Sequence, residues 1–341
     1  MKFDFVIGNP PYQENNDNSV RKSPVYNQFM DAAYNIADVV ELITPGRFLF
    51  DAGQTPKSWN QKMLNDKHFK VLHYEKNASN FFANTDIKGG VIISYRDNKK
   101  NFGKISTFTP YEELNTIYKK VKKQTSDYMD TIISQRGMYR LTDDFFTDYP
   151  YAVDRVGEGT GNMIVSNIFE KLPEAFHVEK PDNSEEYIRI LGRAKNNRVF
   201  RFIKSKYVIK NEYIPCYKVF FPEANASGQF GETLTMPSVG EPNEGATDTF
   251  INIGMLKSKN EANAVIRYVQ TKFLRALLGI KKATQHTPRS VWDTIPLQDF
   301  TSASDIDWTK SIHEIDLQLY KKYGLTQEEI DFIESNVKEM E

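Results

Sequence analysis

The stretch "FVIGNPPYQ" (residues 5–13) runs from an apolar segment through a glycine into two consecutive prolines and a tyrosine. Each proline holds φ near about −65° and removes a backbone donor, and a residue ahead of a proline is pushed towards extended geometry. Asn9-Pro10-Pro11-Tyr12 therefore reads as a stiff loop at the carboxyl end of a strand. Open α/β sheets bind their ligands at that edge. The loop offers two acceptors, the Asn9 side-chain oxygen and the Pro10 carbonyl, beside the flat face of Tyr12. Two acceptors and a ring suit a planar amino group attached to a flat ring. Holding both N–H bonds draws the nitrogen lone pair out of conjugation. The nitrogen becomes a better nucleophile by electrostatic preorganisation, without a strong base. The plainer reading is a tight exit loop and nothing more.

Working outward, "FDFVIG" (3–8) is apolar on both faces, as a central parallel strand is. Helical spacing follows in "VYNQFMDAAYNIA" (25–37), then a strand at 39–45, a short helix near 58–66 and a strand at 69–75. Two more strands are expected at 89–97 and 103–110. Strands alternating with helices imply a doubly wound α/β layer. A polar helix (111–124) leads out of it. From about 130 to 255 short β-type runs (198–204, 206–210, 216–222) alternate with stretches rich in Gly, Asn, Ser and Pro. Helices return at 260–280, at about 307–323 and at 326–340. Thr326 with Glu329 predicts a capping box, and Gly324 the end of the helix before it. The expected division is 1–124, a catalytic half-domain; 125–300, a mixed α+β target-recognition domain; and 301–341, a helical tail.

"FDFVIGNPPYQ" closely resembles the catalytic motif of the S-adenosylmethionine-dependent amino-methyltransferases, in the form found in adenine-N6 DNA methyltransferases of type II restriction-modification systems. "LITPGRFLFDAG" (42–53) resembles the strand and loop that follow in those enzymes. "FFANTDIKGGVIISY" (81–95) resembles the later motif in which an aromatic residue clamps the extruded base, and Phe82 aligns there ahead of Phe81. The rest of the chain, including "TKFLRALLGIKKATQ" and "YKKYGLTQEEIDFIE", resembles their recognition and tail region. The resemblance implies a partial Rossmann-like sheet and assigns roles residue by residue. Asn9 and Pro10 accept from adenine N6, Pro11 stiffens the loop, Tyr12 stacks on the base and Phe82 supports its other side. Such a pocket requires the base to be extruded from the duplex.

The resemblance also implies a glycine-rich S-adenosylmethionine loop and an acidic ribose partner upstream of the catalytic motif, so the cofactor residues are expected ahead of residue 1, with Asn9 at their edge. This chain then corresponds to the downstream part of a larger methyltransferase, completed by an upstream segment or a separate chain. "AVDRVGEGTGN" (152–162) imitates a cofactor loop in permuted order. It lacks the apolar run of a buried first strand and is read as a surface loop. A pure DNA-specificity module, or an amino-methyltransferase acting on RNA or protein glutamine, remains open at this stage.

Of 341 residues 40% are apolar, enough for two buried cores, and the net charge of −1 excludes a global cationic field. The charge is nevertheless segregated. Residues 189–218 hold nine basic residues against one acid, 262–292 six against none, and 299–341 eleven acids against four lysines. Arg193, Lys195, Arg198, Arg201, Lys204, Lys206, Lys281, Lys282 and Arg289 are the expected contacts to double-stranded DNA. Either run alone could equally be a solvated face. One cysteine excludes an internal disulfide, and five scattered histidines give no metal-binding spacing. No apolar run reaches membrane-spanning length, which points to a cytoplasmic protein. No nuclease constellation stands out, so any cognate restriction endonuclease activity is expected from elsewhere.

Overall fold

A computed structural model describes residues 3–14, 23–50, 54–82, 87, 89–156, 159, 161–195, 197–282 and 284–340. It is mixed α/β and divides into two compact units, Met1–Asn115 and Thr116–Glu341.

The first unit is built on a four-stranded sheet of β1 (Phe3–Gly8), β2 (Ala37–Pro45), β3 (Phe69–Glu75) and β4 (Val91–Asp97), in the order β1-β2-β4-β3. β1 and β2 are parallel, while β4 runs antiparallel to both its neighbours. Helices α1 (Tyr26–Ile36) and α2 (Lys57–Asn65) cover one face of this sheet. α1 turns Tyr26, Met30 and Ala33 inward at helical spacing, and α2 does the same with Trp59 and Met63. They meet Val40, Leu42, Phe69 and Ile92 in one core. The Phe48 and Trp59 rings cross edge-on at 5.0 Å, a contact worth about 0.5–1.5 kcal/mol beyond its buried area. The Trp59 indole also donates to Asp31 at 3.1 Å and ties α2 to α1.

The other face of the sheet is uncovered along β1. Side chains alternate along a strand, so Val6 packs into the core while Phe3, Phe5 and Ile7 point away and stay 47%, 49% and 71% exposed. The expectation that β1 is a central strand buried on both faces is therefore corrected. It is the outer strand among those described, with an apolar face in solvent.

The second unit contains the sheet β6-β5-β9, from β5 (Tyr187–Ala194), β6 (Asn197–Lys204) and β9 (Glu244–Ala246). A second sheet, β10-β7-β8, comes from β7 (Tyr217–Pro222), β8 (Ser238–Gly240) and β10 (Phe250–Leu256). Helix α3 (Glu112–Gln124) crosses the boundary in sequence, and three short helices follow: α4 (Asp143–Asp148), α5 (Ala152–Val156) and α6 (Ile168–Lys171). α7 (Lys259–Gln270), α8 (Lys272–Leu278), α9 (Ile312–Tyr323) and α10 (Gln327–Asn336) complete the unit. Residues 301–341, read above as a separate tail, are built into this unit: Tyr323 stacks on Phe273 of α8 with ring centres 5.0 Å apart. Both features expected at the last helix are present, a Thr326–Glu329 capping box and a left-handed Gly324 at φ 64°.

Other departures have local causes. Residues 103–110 form no strand: Ser106 takes φ 56° and its amide donates to Leu64 at the end of α2 rather than to a sheet neighbour. The helix expected over 260–280 breaks at Thr271, whose backbone is extended and whose hydroxyl caps α8 through Leu274 N–H. The run 206–210 gives a 3-10 turn over Ser205–Tyr207 in place of a strand. The segment Ala152–Val156 is helical, so no strand leads into the glycines at 159 and 161, in keeping with a surface loop.

Candidate functional site

β1 ends at Gly8, and the chain turns out through Asn9, Pro10, Pro11 and Tyr12. Gly8 pairs with Leu42, so this corner lies beside the carboxyl end of β2. Asn9 and Pro11 are exposed, Pro10 and Tyr12 half-buried; the corner is at the surface and not sealed in the core. It is anchored all the same. Tyr12 carbonyl accepts from Val25 N–H at 3.1 Å and Glu14 N–H donates to Ser23 carbonyl at 3.0 Å, fixing the loop to the entry of α1.

Phe82 reaches the same place from the other side of the unit. A 3-10 turn, Ala78–Asn80, is capped by the Asn77 side chain, which accepts from Ser79 N–H at 3.2 Å. Phe82 N–H donates to Ala78 carbonyl at 2.9 Å. The Phe82 ring then lies 6.5 Å from the Tyr12 ring at 71°. Phe81 turns elsewhere, edge-on to His73 at 5.5 Å. Of the two phenylalanines it is Phe82 that meets Tyr12.

The Tyr12 hydroxyl is shielded from solvent and makes no hydrogen bond of acceptable geometry. Burial pushes its pKa up to about 12, only partly offset by the nearby Asn9 side chain. It is neutral at ordinary pH and cannot serve as a base. Two groups the sequence reading passed over lie at the same end of the sheet or at the start of α1. Thr44, near the end of β2, is fully buried with an unpartnered hydroxyl, and Asn27 is 9% exposed with an unpartnered amide oxygen. Buried polar groups without partners are uncommon. The one available signal was a threonine inside the apolar run "VVELITP".

The residues described do not make an S-adenosylmethionine cradle. β1 has no described neighbour on its outer side, and no described strand leads into a glycine-rich loop of that kind. Among the described residues no cluster of His, Cys, Asp and Glu could hold a metal. No described helix is long and apolar enough to cross a membrane.

The expected DNA contacts all lie in the second unit, and the structure sorts them. Arg193 and Lys195 stand exposed at the end of the β5–β6 hairpin. Arg193 pairs directly across from Arg198 in the strand register, and the Arg198 guanidinium lies over the Phe250 ring at 5.4 Å. Arg198 also donates to Met236 carbonyl at 3.1 Å. The Arg201 guanidinium donates to Phe200 carbonyl at 2.9 Å. Lys204, Lys206 and Lys281 reach Glu185, Asp148 and Asp293 at 3.0, 2.9 and 2.6 Å, all partly exposed. Arg289 is exposed and lines a cleft. Lys282 is the correction: it is 6% exposed, and its ammonium is held by Glu232 at 2.6 Å and Thr284 carbonyl at 3.1 Å. It staples the interior and does not face solvent.

Residues 1–82 match the Eco57I restriction-modification methylase family. The corner and Phe82 both fall inside that match, so over these residues the chain is restriction-modification methylase-like. It is 27% identical over 95 residues to an uncharacterized adenine-specific methylase of Mycoplasma pneumoniae, an alignment covering 27% of this chain and 22% of that one. The chain thus spans about a fifth of that relative's length. Among solved structures it is similar to the type IIG restriction endonuclease BpuSI, at 9% identity, TM-score 0.34, and 92% and 48% coverage of the two chains. It is also similar to the type IIL restriction-modification enzyme MmeI in complex with DNA, at 11% identity, TM-score 0.34, and 98% and 56% coverage. Likenesses this distant fix neither the fold nor the function.

Proposed function

We propose that this chain is the catalytic and target-recognition part of a site-specific DNA adenine-N6 methyltransferase using S-adenosylmethionine. The observation that carries the reading is the solvent-facing Asn9-Pro10-Pro11-Tyr12 corner with the Phe82 ring 6.5 Å from Tyr12. An extruded adenine lies on Tyr12 with Phe82 at its margin, and its amino group donates to the Asn9 side-chain oxygen and the Pro10 carbonyl. That geometry localises the nitrogen lone pair and aims it, with the prolines keeping both acceptors from relaxing. The donor's chemistry is supplied by the bound cofactor and lies outside the residues described.

The sheet is read as the downstream half of a Rossmann-like methyltransferase sheet. Phe3, Phe5 and Ile7 on an outer strand favour completion of that sheet by a cofactor-binding polypeptide, since monomers seldom leave such a run of large apolar side chains in water. The exposed Arg193 and Lys195 at the end of the β5–β6 hairpin favour a polyanionic duplex as partner of the second unit.

Competition binding tests the reading. Duplex DNA is expected to displace a labelled duplex with a salt-dependent affinity that single-stranded RNA and glutamine peptides do not match. A chain that prefers either of those competitors removes the DNA reading.

A further inference from the structure

The second unit carries a cleft of about 530 Å³ whose walls include Asp130, Gln135, Arg136, Glu223, Arg289 and Asp293. Three of these six are occupied by the fold. Arg136 donates to Asp248 at 2.8 Å, Glu223 accepts from His286 at 2.9 Å, and Asp293 takes the Lys281 ammonium at 2.6 Å. The side chains of Arg289, Asp130 and Gln135 have no hydrogen bond or ion pair among the described residues. A guanidinium, a carboxylate and an amide thus line one cleft without satisfying one another.

These groups sit on rigid supports. Arg289 opens a 3-10 turn, Arg289–Val291, between Thr287 and Trp292, both fully buried. Thr287 donates to Glu223 carbonyl at 2.7 Å, and the Trp292 indole donates to Thr287 carbonyl at 3.3 Å. Gln135 follows Ser134, whose hydroxyl accepts from Asn252 N–H at 2.8 Å in the interior. The backbone is held on both sides of the cleft, and the side chains of Arg289, Asp130 and Gln135 are left to meet a partner.

The chemistry narrows the partner. A phosphate would meet the carboxylates of Asp130, Glu223 and Asp293, so the cleft repels the duplex backbone as much as it attracts it. An apolar ligand would leave three polar side chains unpaired. A neutral planar edge that presents acceptors beside a donor satisfies them. The major-groove edge of a G·C pair does this: guanine O6 and N7 accept two bonds from an arginine, and the cytosine amine donates to a carboxylate.

We infer that this cleft reads one G·C base pair of the recognised DNA, with Arg289 on the guanine and Asp130 on the cytosine amine. The inference rests on the DNA reading above and adds to it a specificity-determining pair of residues.

Selection from a randomised duplex pool, followed by sequencing, tests it on the full chain. The wild-type protein enriches a motif that includes an invariant G·C pair. Arg289→Ala and Asp130→Ala each lose about tenfold or more of the preference at that pair, while the other positions of the motif persist. Both side chains leave the surface without breaking any internal bond, so both variants fold. A motif unchanged in both variants overturns the inference and leaves the DNA reading standing. Weakening spread evenly over all positions also overturns it, because Arg289 is then a backbone contact. A wild-type protein that enriches no motif removes the DNA reading, and the cleft assignment with it.

Discussion

The Tyr12 and Phe82 rings stand 6.5 Å apart at 71°, each delivered by a separately anchored loop. Neither ring needs the other for the integrity of the core. On the proposed reading, the extruded base takes its place against Tyr12 as a third ring. Tyr12→Ala is expected to weaken binding of duplex carrying an extruded or mismatched adenine by about 1–3 kcal/mol, the range for one base–aromatic stack. Tyr12→Phe is expected to retain both that affinity and the stability of the unit, because the hydroxyl it removes is buried and unpartnered. Urea midpoints and fluorescence anisotropy read the two effects. A Tyr12→Phe variant as weak as Tyr12→Ala would point to a hydroxyl contact and against stacking.

Lys282 and Arg193 are expected to behave oppositely, although both belong to basic segments. Lys282→Ala strips the half-buried Glu232 of its cation while the Ser227 and Gly228 donors stay, and is expected to cost about 1–3 kcal/mol of stability. Arg193→Ala removes an exposed charge facing Arg198, leaving stability unchanged or slightly raised. It lowers duplex affinity, and the slope of log affinity against log salt drops by about one. Equal slopes for wild type and Arg193→Ala would take the hairpin out of the DNA interface.

Glu232 gives the second unit an acid-labile joint. Burial raises its pKa, but the Lys282 ammonium and the donors of Ser227 and Gly228 outweigh burial and hold it at about 2, below the ordinary 4.5. For a depressed carboxyl the stabilisation is fully present above the unfolded pKa, and it is lost as pH falls through the folded one. The urea midpoint of the second unit is therefore expected to fall between about pH 4.5 and pH 2. Glu232→Gln is expected to start lower and to flatten that part of the profile. An unaltered profile in Glu232→Gln would contradict the assignment.

The uncovered face of β1 supplies a further expectation. Phe5→Asp and Ile7→Asp alter side chains that are 49% and 71% exposed, so the isolated chain keeps its thermal midpoint within a few degrees, as for surface substitutions of about 0.5 kcal/mol. Association with a cofactor-binding polypeptide, followed by light scattering or calorimetry, is expected to weaken sharply. Unchanged association would show that this face is not the one covered.

Much of the first unit was legible in sequence because its strands and helices announce themselves by period. The Asn-Pro-Pro-Tyr corner was legible because proline geometry is local. The exposure of β1 was not: an apolar run reads as buried whether or not anything covers it. Charge counting could not show that Lys282 points inward, since Glu232 stands 50 residues away along the chain. The Thr271 break was equally hidden, because a threonine inside a helical pattern caps only when its backbone turns extended. Strand β5 escaped notice because Arg189 and Arg193 read as part of a basic run and not as one face of a sheet.

On the proposed reading, Asn9 and Pro10 hold the amino group on which a methyl is placed. The direct measurement is nucleoside mass spectrometry of duplex DNA after incubation with S-adenosylmethionine and this chain joined to a cofactor-binding half. N6-methyladenine is expected from the wild type and none above background from Asn9→Ala, with duplex affinity retained because the expected backbone contacts lie in the second unit. N6-methyladenine at the wild-type level in Asn9→Ala, or a methyl found only on cytosine, would contradict the claim.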